Sequence, residues 1–335
     1  MLKPLNFVDL FSGAGGLSFG FHNSRYFNCL RAVDFWEPAV KCFNSNYKTD
    51  VAQKIDFYER KNIDNFLKEY SSKIDLIIGG PPCQGFSTLG KRMIDSRTNS
   101  LVDIFLSIVK RNKPKMVILE NVKAFQTMRH PSGITYGEKV YNVLSEEYNI
   151  QPIIFNTIEY DIAQSRKRYI AFMTHKDYDK KQKYIKNYLK IIDILKLNKT
   201  KTLYDVIYDL PRLGDSIGSD VIELSCGKKI FNHKSLKHGI ELRERFSHVP
   251  QGGGLLDVPK RLLTNHLKKM VNGDYGSGGH VKNIYGRMSW DQPSGTIIAG
   301  IDKITCGRYL HPEDNRLLTP RAVSYTHLRA HETRH

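Results

Sequence analysis

No C-x-x-C pair occurs among the five cysteines, Cys29, Cys42, Cys83, Cys226 and Cys306, and their number is odd. That sets aside a zinc ribbon and a disulfide frame, and leaves reduced thiols with no metal site expected. No apolar run reaches the roughly 18 residues that a membrane helix needs. Met1-Leu2-Lys3-Pro4 leads directly into a strand-like segment, so neither a membrane span nor a signal peptide is expected. Acids are also in deficit: 34 Asp and Glu face 51 Lys and Arg, for a formal net charge of +17 and a pI near 9.5. Such an excess favours a polyanionic partner, because each phosphate neutralised releases counterions. A general lysine-rich bias in composition is the alternative.

The 335 residues and 38.5 kDa leave room for one large or two ordinary domains. The first organised stretch, Leu5-Asn6-Phe7-Val8-Asp9-Leu10-Phe11, reads as a strand running into Ser12-Gly13-Ala14-Gly15-Gly16-Leu17-Ser18. Strand, glycine turn and helix open a nucleotide-binding, doubly wound α/β fold, and Gly13 and Gly15 let the backbone pass close to a ligand. Ser18 stands where a dinucleotide fingerprint wants its third glycine, which weakens a nicotinamide reading. A second run ends at Asp34, placed for ribose hydroxyls, and Phe35 and Trp36 follow with rings able to stack on a base. Asp56 is a further candidate beside them.

The stretch Gly79-Gly80-Pro81-Pro82-Cys83-Gln84-Gly85-Phe86-Ser87 follows the apolar run at 74–78. Two prolines fix φ and remove donors, so Cys83 is expected on a stiff turn just past a strand end, where a thiol can act as a nucleophile. The basic segment through Lys91, Arg92 and Arg97 reads as a mobile loop able to close over a phosphate backbone. Met116-Val117-Ile118-Leu119 is another buried strand and ends at Glu120-Asn121-Val122. Phe11, Asp34, Cys83 and Glu120 are thus all expected at the carboxyl ends of parallel strands, where open α/β sheets bind ligands. Glu120, after four apolar residues, is expected to be partly desolvated and able to donate a proton. Helix is predicted for 136–148 and strand for 150–158. In Gln164-Ser165-Arg166-Lys167-Arg168 the two arginines alternate, so an extended backbone would give them one face.

From His175 the texture changes. Residues 176–201 read as a lysine-rich, solvated helix leading out of the first domain. The stretch to about 289 has few long apolar runs, glycine clusters and no internal repeat, which suits a smaller domain of loops and short strands.

Together these segments resemble the DNA cytosine-5 methyltransferase family. The resemblance rests on Asp9-Leu10-Phe11-Ser12-Gly13-Ala14-Gly15-Gly16, Pro81-Pro82-Cys83-Gln84, Glu120-Asn121-Val122, Gln164-x-Arg166-x-Arg168 and Arg316-Leu317-Leu318-Thr319-Pro320-Arg321, in the family's order. It implies an α/β fold with a doubly wound, mostly parallel sheet and a second, smaller target-recognition domain. Catalytic and cofactor-binding residues would occupy 1–175, target recognition 176–289, and a return to the first domain 290–321.

It also implies S-adenosylmethionine as donor, no metal, and cytosine in double-stranded DNA as acceptor. Cys83 would attack C6, Glu120 would bind the N3/N4 edge, and Arg168 with Arg166 would support the O2 side. Phe11, Gly13, Gly15, Asp34, Phe35, Asp56 and Pro82 would line the cofactor pocket. Gln84, Ser87, Lys91, Arg92, Arg97 and Gln164 would contact DNA. The setting it suggests is a monomeric restriction-modification methylase in a bacterial cytoplasm, with a cognate endonuclease encoded nearby.

Competing readings are a tRNA cytosine methyltransferase of the same fold, a nicotinamide oxidoreductase, which would leave Cys83 and Glu120 idle, and a truncated binding-only protein. The last arises because 322–335 carry neither the Glu that the family places after Arg321 nor a core-facing apolar period. That tail is therefore expected to be non-native, and the polypeptide poorly soluble and weakly active.

Overall fold

The computed structural model describes residues 3–82, 100–197, 199–214, 216–273, 281–298 and 300–328. Contacts divide the chain into two units: unit 1 comprises 1–155 and 167–194, and unit 2 comprises 156–166 and 195–335.

Unit 1 is a seven-stranded sheet with helices on both faces. Its elements run β1 (Leu5–Leu10), α1 (Phe19–His22), β2 (Phe27–Asp34), α2 (Glu37–Tyr47), β3 (Ala52–Lys54), α3 (Arg60–Tyr70), β4 (Leu76–Gly79), α4 (Ser100–Asn112), β5 (Met116–Val122), α5 (Tyr136–Leu144), β6 (Tyr148–Asn156), β7 (Lys167–His175) and α6 (Lys183–Ile194). The strand order is β3-β2-β1-β4-β5-β7-β6. Strands β1 to β5 pair in parallel and β7 runs antiparallel to β5. The expected doubly wound, mostly parallel sheet is therefore present. Strands covered on both faces must be apolar on both, and β4 is buried throughout while β1 is buried from Phe7 to Leu10. On one face Val8, Leu10 and Ile77 pack with Phe66 of α3, Phe105 of α4 and Val140 of α5. On the other, Phe7, Leu76 and Ile78 meet Leu17 and Phe21.

The order reverses between β1 and β4, which makes the gap beyond their carboxyl ends the topological switch point. Leu10 and Gly79 are register partners there. A side chain at Gly79 would come within 2.6 Å of the Leu10 carbonyl and 2.8 Å of the Phe105 ring, so only glycine admits this approach.

Helix α5 starts with a capping box between Thr135 and Glu138 and stops at Leu144, short of the predicted 148. Tyr148 belongs to the sheet instead, where its buried hydroxyl donates to the Pro114 carbonyl at 2.9 Å, and β6 accordingly begins earlier than the predicted 150. Helix α6 does not lead away from the sheet. Asp179, 2 % exposed, accepts from the Tyr184 and Ile185 amides at its start, and Tyr188 stacks on Phe172 of β7 at 4.3 Å. That docking keeps α6 with unit 1.

Unit 2 contains α7 (Leu203–Ile207), the antiparallel pair β8 (Gly218–Glu223) and β9 (Lys229–Lys234), α8 (Ile240–Ser247), α9 (Asn265–Asn272), the short parallel pair β10 (Gly286–Arg287) and β11 (Arg308–Leu310), and α10 (Pro320–Leu328). Leu203, Ile207, Phe246, Leu255, Tyr309 and Leu317 form its core. The sequence reading drew divisions at 175 and 289; contacts draw them after 155 and 194 and leave 290–321 in unit 2. Buried Arg287 accounts for the latter, because it donates to the carbonyls of His311 and Asp314.

The expectation that nothing beyond Arg321 faces a core is corrected. Ala322 and Thr326 on α10 are 2 % and 1 % exposed, and Val323 and Tyr325 pack against the same core. Small and polar residues carry this period, which an apolar scan passes over. Among the described residues no helix is long and apolar enough to cross a membrane.

Candidate functional site

The glycine turn leaves β1 through Phe11, which has φ 61°, a value rare outside glycine and costing of order 1–3 kcal/mol where it occurs. Its ring packs edge-on against Phe57, with centroids 5.9 Å apart. Gly13 has φ 55°, and a side chain at Gly13 or Gly16 would meet nothing within 4 Å, so bare backbone lines open space. Gly15 is required for two reasons. Its φ is 92°, and a Cβ there would lie 2.4 Å from the Tyr47 ring and 2.9 Å from Phe43. Tyr47 also donates its hydroxyl to the Gly15 carbonyl at 2.6 Å, clamping the turn onto α2.

Asp34 stands at the end of β2 as expected and is already engaged. One carboxylate oxygen accepts from the Gly13 amide and the other from the Trp36 amide, each at 2.9 Å. The acid therefore shapes the turn and keeps its remaining lone pairs for a ligand. Phe35 beside it is 63 % exposed, with a ring available for stacking. Asp56 accepts from the Tyr58 amide in a local turn at 2.9 Å.

Across the switch point, Asn121 donates to the Pro81 carbonyl at 2.9 Å and pins the proline turn to β5. Pro82 is half-buried at the last described position before 83–99. A Cβ at Gly80 would come within 3.0 Å of Glu120 Oε2, so the turn passes directly against the acid. The partial desolvation expected of Glu120 follows from the strand pattern. Strand β5 buries Val117, Leu119 and Asn121 on alternate positions and leaves Glu120 half-buried. Antiparallel β7 then brings Arg168 across to it, with Nε to Oε1 at 2.9 Å.

Glu120 and Arg168 are thus brought together in unit 1. Arg166 immediately precedes β7 and falls in unit 2; its carbonyl accepts from the Thr157 amide at 3.2 Å and its amide donates to Thr157 Oγ1 at 3.1 Å. Gln164, expected at a DNA surface, is 1 % exposed and its amide bonds His327 Nε2 at 2.9 Å, so as it stands it offers DNA no face. Cys83, Gln84, Ser87, Lys91, Arg92 and Arg97 lie outside the described residues.

Sequence reasoning assigned no role of their own to Asp9, Ser18, Asn121 and Tyr47. An acid in the middle of an apolar strand was the available signal for Asp9, which is wholly buried; desolvation pushes its pKa up from 3.8 to about 7.

Comparison with known proteins bears on the chain as a whole. It is 29 % identical over 326 residues to the type II methyltransferase M1.HphI of Haemophilus parahaemolyticus, covering 96 % of this chain and 76 % of the relative. It is 28 % identical over 338 residues to M.DdeI of Desulfomicrobium norvegicum, covering 95 % and 76 %. A crystal structure from E. coli, described as a DNA modification methyltransferase encoded within a prophage, shares the fold with a TM-score of 0.67 at 21 % identity, over 96 % of this chain and 88 % of that one. The family match runs past Arg321, where the sequence reading had placed its end. With the C-5 cytosine-specific DNA methylase model matching residues 5–326, the chain belongs to that family.

Proposed function

We propose that this C-5 cytosine DNA methyltransferase takes its methyl group from S-adenosylmethionine and acts through a covalent bond between Cys83 and C6 of a cytosine turned out of duplex DNA. What supports the residue assignment above all is the Glu120–Arg168 pair set against Gly80, immediately ahead of the prolines that lead into Cys83. The chemistry needs this set. Carbon 5 of cytosine is a poor nucleophile until a thiolate adds at C6, and an acid hydrogen-bonded at N3 stabilises the electron density that results. Glu120 would supply that bond, with Arg168 fixing its orientation. Loss of the C5 proton after methylation then expels the thiolate. A stacked base hides C6, so extrusion is required, at a cost of a few kcal/mol.

The residues present fit a nucleoside-bearing cofactor. Bare backbone at Gly13 and Gly16 faces open space, Asp34 ends β2 beside that turn, where it would meet ribose hydroxyls, and the Phe35 ring is exposed. Phe11, Asp56 and Pro82 complete that assignment. When bound there, S-adenosylmethionine would supply an electrophilic methyl group. Unit 2 is proposed to carry target recognition, with Lys91, Arg92 and Arg97 on the DNA backbone. A cognate endonuclease and a monomeric enzyme in a bacterial cytoplasm belong to the same proposal.

Bisulfite sequencing of DNA from cells expressing the chain tests the reading. Methylated cytosines at one defined sequence are expected, with none in cells expressing Cys83→Ser. Methylation that persists in Cys83→Ser, or that is found in tRNA and not in DNA, overturns it.

A further inference from the structure

Asp9 is the one wholly buried carboxyl among the described residues of unit 1, and the chemistry above does not use it. It sits in β1 between Val8 and Leu10, on the sheet face that also carries Phe7. Its Oδ2 accepts from the hydroxyl of Ser18, which is itself 0 % exposed. Ser18 occupies the position before α1 where a serine ordinarily caps the helix, yet its side chain makes no cap bond. Its hydroxyl is committed to Asp9 instead.

The consequence is geometric. The segment from Asp9 to Ser18 departs from the sheet as the glycine turn and is tied back to it by one side-chain bond. Within that closed segment, the Gly13 amide is held by Asp34 and the Gly15 carbonyl by Tyr47. We propose that the Asp9–Ser18 pair is a tether that sets the shape of the cofactor turn, making both of them positioning residues for cofactor binding. This rests on the cofactor reading given above.

The surroundings favour an uncharged Asp9. Asp34 and Cys29 of β2 and Tyr47 of α2 interact with it electrostatically, and its register partner on β4, Ile78, is apolar. None of these is a cation. Burial accordingly drives the Cys29 thiol up to about 12 and raises Tyr47 as well. A tether of this kind depends on a carboxyl meeting a hydroxyl, not on which strand position holds which. Exchanging the two residues therefore preserves it, whereas removing either one does not.

The test is calorimetric titration of the full chain with S-adenosylmethionine, alongside thermal unfolding of the same samples. Asp9→Ala and Ser18→Ala are expected to weaken binding at least about tenfold while still unfolding cooperatively. The exchanged double variant, Asp9→Ser with Ser18→Asp, is expected to recover to within about threefold of wild type. Asp9→Asn keeps volume and hydrogen bond and should bind like wild type. In turnover, the alanine variants should raise KM for the cofactor and leave kcat nearly unchanged. Alanine variants that bind as wild type, or an exchange no better than its single components, overturn the tether. A wild-type chain that binds no S-adenosylmethionine overturns the cofactor reading itself, which separates the two failures.

Discussion

Unit 1 carries its candidate chemistry at the end of a sheet with an apolar interior, whereas unit 2 is assembled around buried charge. In unit 1 the polar groups of the candidate site lie at strand ends, Asp34 on the glycine turn, Asn121 on the proline turn and Glu120 with Arg168, while Asp9 is the carboxyl held inside a strand. In unit 2, Arg287 is 4 % exposed and donates to the carbonyls of Phe246, Val249, His311 and Asp314 and to the Asn315 side chain. Around it Arg316 pairs with Asp314 at 2.8 Å, and burial drives His311 down to about 3, so its ring is neutral. A sheet can hold polar groups at its edge because its backbone bonds are already made. A unit with short, sparse strands must satisfy its carbonyls with side chains, and one arginine here serves several.

The largest effect is expected in unit 1. Glu120→Gln keeps volume and removes the acid, and should cut methyl transfer by about 10²–10⁴-fold, the usual range for a positioned acid or base. Cofactor affinity should be unchanged, since the acid lies on the other side of the switch point. Single-turnover kinetics with labelled donor would measure it, and wild-type rates would refute the role.

Next in size is Arg287→Met. It leaves several buried carbonyls without donors, and removing one partner of a buried charged network typically costs roughly 3–5 kcal/mol. Urea unfolding should show the loss, with Arg287→Lys recovering only part of it because a lysine cannot span the same acceptors. A wild-type midpoint for Arg287→Met would mean that unit 2 does not depend on its charged centre.

A third effect depends on pH. Asp9 has a folded pKa raised from 3.8 to about 7, so its contribution to stability is fully present below 3.8 and is lost as pH rises through about 7. At about 1.36 kcal/mol per pKa unit, that shift corresponds to about 4 kcal/mol. Asp9→Asn should therefore be the more stable protein above pH 7, with the gap closing towards pH 4. Parallel stability curves for the two proteins would show Asp9 to be solvated.

The smallest effect sharpens the picture of the turn. Gly15→Ala must adopt φ 92° and press on Tyr47, a combination worth about 2 kcal/mol. It should raise KM for the cofactor and lower the melting temperature by a few degrees. The companion Tyr47→Phe, which loses only the bond to the Gly15 carbonyl, should fall between it and wild type.

The candidate site positions of unit 1 were legible because each is local to a strand end. Phe11, Asp34, Pro82 and Glu120 follow apolar runs, and parallel pairing leaves those ends on one edge. What was missed required knowledge of the other side of a contact. Arg168 reads as one of a pair with Arg166, yet the partner it meets is Glu120 on β5. Gln164 reads as polar surface and is buried against His327, 163 positions away. The core face of α10 was invisible because alanine and threonine, not leucine, fill it.

The amino-acid sequence by itself determined the α/β class, the order of the motifs and the family, since strand runs, glycine turns and the Pro-Pro-Cys stretch are properties of neighbouring residues. Tertiary structure alone decided that β7 turns antiparallel and delivers Arg168 to Glu120. It also decided that Asp34 is occupied by the turn it supports, that Asp9 lies beneath that turn on Ser18, and that one buried arginine organises the second unit. These depend on burial and on partners distant in the chain, and burial is what sets whether a polar side chain meets water, a ligand or another part of its own protein.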